Sequence, residues 1–222
     1  KQNLTLILIL FSGLIYSQDS HDHQQKINLS QIDSIIINNP VDESHASKFG
    51  SIVIQDSGGR MKPLNTFASE VLRKVSKSDS YKNLNADQVL LSITKDPILW
   101  YNVPIIYLKR GNDSLRKIIG RNNKEKYAAF TDFFDEKGNY KIAKQLERSY
   151  KSVLPNAFEK DFIETDRKVN LLFSALDGKI LTIFPIPNDP GNKWVSFKDL
   201  NIDDFKGIDS LYVKNILPLY LG

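Results

Sequence analysis

The 222-residue chain has no cysteine. Disulfides, thiolate metal ligands and thiol nucleophiles are therefore excluded. Thioether attachment of haem to this chain is excluded too, so it is not itself a c-type cytochrome. Histidine is scarce, with three residues, and tryptophan scarcer, with two. Strong charge of either sign is also missing: 30 Lys+Arg against 26 Asp+Glu leave +4 and a pI near 9.0. That is too mild for a nucleic-acid partner, which calls for a concentrated basic face. What is present, 41% hydrophobic and 25% charged residues, is ordinary for a globular protein. The length suits one sizeable domain or two small ones.

The opening stretch LTLILILFSGLIY, Leu4 to Tyr16, carries no charge. It is short of the roughly 20 apolar residues a bilayer span needs. It fits the apolar region of a secretory signal, with Lys1 before it and Ser17 as a small cleavage residue. The alternatives are the end of a transmembrane helix and a buried core helix. The first two readings put the rest of the chain outside the cytoplasm.

Residues 19–43 read as a polar linker with one short element, INLSQIDSIIINNP, helix or strand. SIVIQ is a strand pattern, and Asp56-Ser57-Gly58-Gly59 is turn chemistry. Pro63 suits the first turn of a helix, and Leu64, Phe67, Val71, Leu72 and Val75 follow at helical spacing. Asn85 with Gln88 forms a capping signature, with Leu84 and Val89 as its apolar staple. Pro97 opens a short turn, and PIIYL, Pro104 to Leu108, reads as a strand. Ile142, Leu146, Tyr150 and Val153 fall on one helix face. Asn156 and Glu159 cap another helix, with Phe158, Phe162, Val169, Leu172, Phe173 and Leu176 as its stripe and Gly178 as its stop. KILTIF is a strand, and a last helix begins near Ile208 and stops in mid-pattern, as if the chain were truncated at its C-terminus. Short strands and capped helices without βαβ alternation give an α+β, helix-rich class: a short β-hairpin and isolated strands packed with several amphipathic helices.

Few motifs point to chemistry. QDSGGRMKPLNT lacks the Gly-x4-Gly-Lys-Ser/Thr of a phosphate loop, and Pro63 removes a donor where the cradle needs one. The plain reading is a hairpin turn feeding a helix. The functional alternative is an anion site in which Arg60, Lys62 and the free N–H groups of the helix start hold a carboxylate such as a haem propionate. His21 and His23 have no third ligand nearby, which is weak metal chemistry. His45 is a candidate haem axial ligand, against a structural role. Ser57 lacks a nucleophile elbow, and Asp199, Asp203, Asp204 and Asp209 read as solvated or capping. The run from Lys109 to Lys126 holds seven Lys/Arg and two acids, a wet surface or a contact for anionic headgroups. Trp100 and Tyr101 are expected in the core, and Trp194 beside a loop and exposed.

The block HASKFGSIVIQDSGGRMKPLNTFASEVLRKV resembles the extracytoplasmic region of bacterial cytochrome c biogenesis membrane proteins, the fused ResB/CcsA type of System II. The pattern is His-Ala, Phe-Gly, a strand, Gln-Asp, Gly-Arg-x-Lys-Pro-x-Asn-Thr, then Ser-Glu-x-Leu-Arg-Lys. LNADQVLLSITKDPILWYNVPIIYL, YAAFTDFFDEKGNYKI and DRKVNLLFSALDGKILTIFPIP are similar to the same family, so the likeness runs from about residue 44 to the end. It implies a role in attaching haem to apocytochromes outside the cytoplasm, in an inner-membrane protein with this domain facing the periplasm. It implies the parent's membrane helices, apocytochrome c and haem as partners, with the parent acting as a cytochrome c haem ligase. The membrane helices, nearby external histidines and tryptophan-rich loop that such proteins use for haem are not in this chain. Membership carries over, with no catalytic residue.

The organisation expected is a signal or membrane-helix end over 1–18, a linker over 19–43 and an extracytoplasmic domain over 44–222. Candidate cofactor-binding residues are His45, Arg60 and Lys62, for haem or another anion; no metal site and no stable haem binding by the fragment are expected. The rivals are a free periplasmic binding module with a cleaved signal and an envelope hydrolase.

Overall fold

A computed structural model describes residues 28–221. The leader from Leu4 to Tyr16 and the His21/His23 pair lie outside the described residues.

Local capping decides the first ambiguous element. Asn28 and Gln31 form a reciprocal capping box, so the 28–38 stretch becomes a helix, α1 (Leu29–Asn38). It lies within the stretch read as a linker and contributes Ile32 and Ile36 to the common core. Asp42 caps α2 (Glu43–Gly50) by accepting from the His45 amide at 2.8 Å. At the end of α2 the missing side chain of Gly50 matters: a Cβ there would sit 2.4 Å from Asp87 Oδ2 and 3.2 Å from Asn65 Cβ. Only glycine lets this helix end lie so close to its neighbours.

The expected hairpin is present: β1 (Val53–Gln55) pairs antiparallel with β2 (Met61–Pro63) in the register Ile54 to Lys62. The helix that follows, α3 (Leu64–Ser76), buries Leu64, Phe67, Val71, Leu72 and Val75 together. Pro63 sits just ahead of it at the N-cap, where a missing N–H costs nothing. A second ribbon, β3 (Ser80–Tyr81) with β4 (Leu84–Asn85), leads into α4 (Ala86–Lys95). Asn85 and Gln88 close its capping box, and Leu84 and Val89 are both buried. Pro97 starts the single turn α5 (Pro97–Trp100), with Trp100 wholly buried and donating from Nε1 to Ser92 at 2.9 Å.

The strands read singly from sequence find partners. β5 (Ile106–Tyr107) pairs with β6 (Tyr127–Ala128) across a loop that holds α6 (Asp113–Ile119). After α7 (Ala143–Lys151) and α8 (Ala157–Leu176), β7 (Thr182–Pro185) pairs with β8 (Trp194–Ser196). α9 (Ile208–Leu221) ends the described chain. Every named strand thus belongs to a two-stranded antiparallel ribbon, and one hydrophobic cluster unites helices and ribbons. The α+β, helix-rich class is the observed one. Among the described residues no helix is long and apolar enough to cross a membrane.

Two stripes need correction. Ile142 at the N-cap of α7 and Leu146 within it are buried, but the helix stops at Lys151, so Val153 leaves the helical spacing, and Tyr150 is exposed. In α8, Phe162, Val169, Leu172 and Leu176 face the core, whereas Phe158 and Phe173 are exposed. Phe173 follows Leu172 by one residue, a turn of about 100°, and cannot share its face. It stacks instead on Phe130 at 5.8 Å.

Candidate binding cavity

The glycine-bearing loop between β1 and β2 folds around its own carboxylate. Asp56 Oδ1 accepts from the amides of Gly58 at 2.9 Å and Arg60 at 3.0 Å. Its Oδ2 pairs with Lys62 at 3.1 Å and lies 3.5 Å from Arg60 Nε. Gly59 closes the turn at φ 79°, where a side chain would be strained. The amide donors and Lys62 hold the Asp56 carboxyl down at about 2, below its ordinary 3.8. The loop is an anion cradle filled from within by the Asp56 carboxylate.

Beside it lies a cavity of about 680 Å³. Phe67 and Val71 of α3, Leu171 near the end of α8, and Ile180 and Trp194 form its apolar walls. Gln55 fixes one side by bridging two ribbons. Its Nε2 donates to Asn192 O at 2.9 Å and its Oε1 accepts from the Trp194 amide at 2.9 Å, an imitation of ladder pairing by a side chain. Thr182 Oγ1 donates to the Gln55 carbonyl. The Trp194 indole N–H is covered and has no partner among the described residues. Trp194 is half-buried and not free in solvent as its loop setting had led us to expect.

Charge at the rim is unevenly committed. Lys62 is held by both Asp56 and Glu70, at 3.1 and 3.0 Å, and these partners raise its affinity for the proton. Arg60 is 82% exposed, and Lys74 and Lys179 also line the opening. The site can hold an amphipathic anion between apolar walls and a cationic rim. No histidine lines it, and its two acids, Asp56 and Glu70, are engaged with Lys62.

Of the three residues proposed from sequence, Arg60 and Lys62 share this cavity; His45 is elsewhere. His45 Nε2 lies 3.0 Å from Leu219 O, where α2 meets α9. The helix-start residues Asn65 and Thr66 line a separate polar hollow with Asp87. A haem in the cavity would find cations for its carboxylates and no imidazole for its iron, so these residues do not fit as one haem site. Among the described residues no group of three or more metal-ligating side chains is present. Sequence reasoning missed Gln55, Glu70, Lys74, Lys179 and Thr182 as wall residues; the Gln-Asp and Ser-Glu positions of the resembling block were the available signal.

No family model matches the chain. The chain is similar to Protein NrfI of Wolinella succinogenes. The two are 36% identical over 155 residues. That span is 68% of this chain and 17% of NrfI, so the match covers about a sixth of the relative's length.

The basic run from Lys109 to Lys126 is divided: Arg116 and Arg121 serve the fold, whereas Arg110, Lys117, Lys124 and Lys126 are exposed. Arg116 is 2% exposed and has no acidic partner among the described residues. It donates to the carbonyls of Leu108, Lys109, Asn112 and Glu125 at 2.9–3.3 Å. Arg121 pairs with Asp132 and Glu125, and Lys109 with Asp161.

Proposed function

We propose that the chain is an extracytoplasmic domain of a cytochrome c maturation protein, supporting delivery of haem to apocytochrome c or its attachment there. One observation carries this reading. Six polar and charged positions of the block that resembles cytochrome c biogenesis proteins come together in space: Gln55, Asp56, Arg60, Lys62, Glu70 and Lys74 line one cavity, while His45, Asn65 and Thr66 lie outside it. A pattern spread over 20 residues that closes around a single hollow is the behaviour of a binding site. The similarity to NrfI supports the same reading, with NrfI taken as a longer member of the same class.

On this reading the parent protein lies in the inner membrane with this domain in the periplasm. The domain supports the reaction by offering cations and apolar walls to an amphipathic anion. Haem chemistry, the apocytochrome and the membrane helices belong to the parent. The test is an in-frame deletion of residues 44–221 from the full gene, read by haem staining of c-type cytochromes. Loss of haem-stained cytochrome is expected, and unchanged staining overturns the proposal. Haem titration of the full chain against Arg60→Ala and Lys62→Ala separates the cavity's part: the exposed Arg60 should weaken binding more than the doubly paired Lys62, and equal spectra and affinities dispose of a haem contact here.

A further inference from the structure

The turn between α7 and α8 exposes apolar side chains to an unusual degree. Val153 is 94% exposed and Leu154 88%, with Tyr150 at 59% and Phe158 at 52% close by in sequence. Isolated exposed apolar residues are normal, but several together mark a surface that meets something other than water. The turn is also well defined. The Asn156 amide donates to Glu159 at 2.8 Å and the Glu159 amide to Asn156 at 3.0 Å, which fixes the start of α8 directly beneath Val153 and Leu154.

The neighbouring charge has a sign. Lys144, Arg148 and Lys151 are all exposed and recur at i, i+4 and i+7, one stripe of α7, on the side away from the buried Leu146 and Ser149. Lys160 is exposed on the first turns of α8. Two acids lie in the same stretch. Glu159 is committed to the cap, and Glu147 pairs with Lys151 at 2.6 Å, leaving Lys144 and Arg148 without an ion pair among the described residues. An exposed apolar turn that follows a cationic helix stripe matches the interface of an anionic bilayer, with acyl chains for the turn and headgroups for the stripe.

We infer that the α7–α8 turn is a membrane-contact tip that inserts Val153 and Leu154 among the lipids of an anionic bilayer while Lys144, Arg148 and Lys151 hold the headgroups. This stands independently of the cavity and of a role in cytochrome c maturation. The absence of cysteine makes the test clean, because one introduced thiol is a unique label. The full chain carrying Leu154→Cys with an environment-sensitive dye is mixed with vesicles of phosphatidylcholine with or without phosphatidylglycerol. Lys124→Cys, in the basic run, serves as control. The expected result is a blue shift, and quenching by lipid-borne nitroxide, at position 154 on anionic vesicles only, with position 124 unchanged. Lys144→Glu with Arg148→Glu should raise the lipid concentration for half-maximal shift at least about tenfold. Because the readout is local, binding through the apolar Leu4–Tyr16 segment does not imitate it. Aqueous emission at 154 overturns the inference, whether or not the chain binds, and a shift with an added unfolded peptide alone makes the tip a protein contact. Equal immersion in neutral vesicles overturns the choice of an anionic surface.

Discussion

Two cationic stretches of this protein look alike in composition and behave in opposite ways. Between Lys109 and Lys126 positive charge is densest, yet its central members are spent on the fold: Arg116 organises four carbonyls and Arg121 binds two acids. Between Lys144 and Lys160 the density is lower, and Lys144 and Arg148 of α7 have no ion pair among the described residues and lie on the helix that leads to an apolar tip. A count of charges ranks the first stretch as the interaction surface; the contact proposed above lies instead where cations and exposed apolar side chains occur together. What separates them is the backbone. The 108–126 loop must leave a two-stranded ribbon and return to it, so its unpaired carbonyls need donors, whereas α7 satisfies its own backbone and leaves its side chains to solvent.

The contrast can be broken by mutation. Arg116→Met should cost about 3–5 kcal/mol in urea unfolding, because the buried carbonyls lose their donors together. Arg116→Lys should recover little of that, since a single ammonium cannot reach the spread of acceptors a guanidinium does. If either variant is as stable as the parent, the loop does not depend on this residue and the comparison fails. At the tip, Asn156→Ala removes a cap and should cost about 1 kcal/mol, with the immersion of position 154 blurred as the turn loosens. Lys151→Ala breaks only an exposed pair and should change the urea midpoint by less than about 0.5 kcal/mol equivalent. A large loss there would mean the α7 stripe is structural after all.

A third region sharpens the picture through pH. The Asp56 carboxyl is depressed from 3.8 to about 2, first by the Arg60 amide and then by Lys62. A depressed acid stabilises the fold fully above its unfolded value, and that contribution disappears as pH falls from 3.8 through about 2. The acid limb of a stability profile should therefore become shallower in Asp56→Asn, which is already weaker at neutral pH. An unchanged limb would show that the loop is not held by this carboxylate.

Much of the architecture was legible because it is locally encoded. The boxes at Asn85–Gln88 and Asn156–Glu159 and the stripe from Leu64 to Val75 each specify themselves within a few residues. Errors came where a local pattern ran past its element: Val153 kept helical spacing on paper after α7 had ended. The binding cavity was half visible. Arg60 and Lys62 could be named, but Lys179, Thr182 and Trp194 join them from more than 100 residues away through the Gln55 bridge. His45, adjacent in sequence, was drawn off by α9.

By itself the sequence determined the helices that carry their own caps or stripes, from Leu64, Asn85 and Asn156, that thiol chemistry is absent, and that a block like those of cytochrome c biogenesis proteins is present. Tertiary structure alone decided which charges are free. A cation's availability depends on the acceptors that folding brings beside it: for Arg116 and Lys62 those acceptors are fixed, Arg60 reaches Asp56 at 3.5 Å and stays 82% exposed, and Arg148 has no ion pair among the described residues.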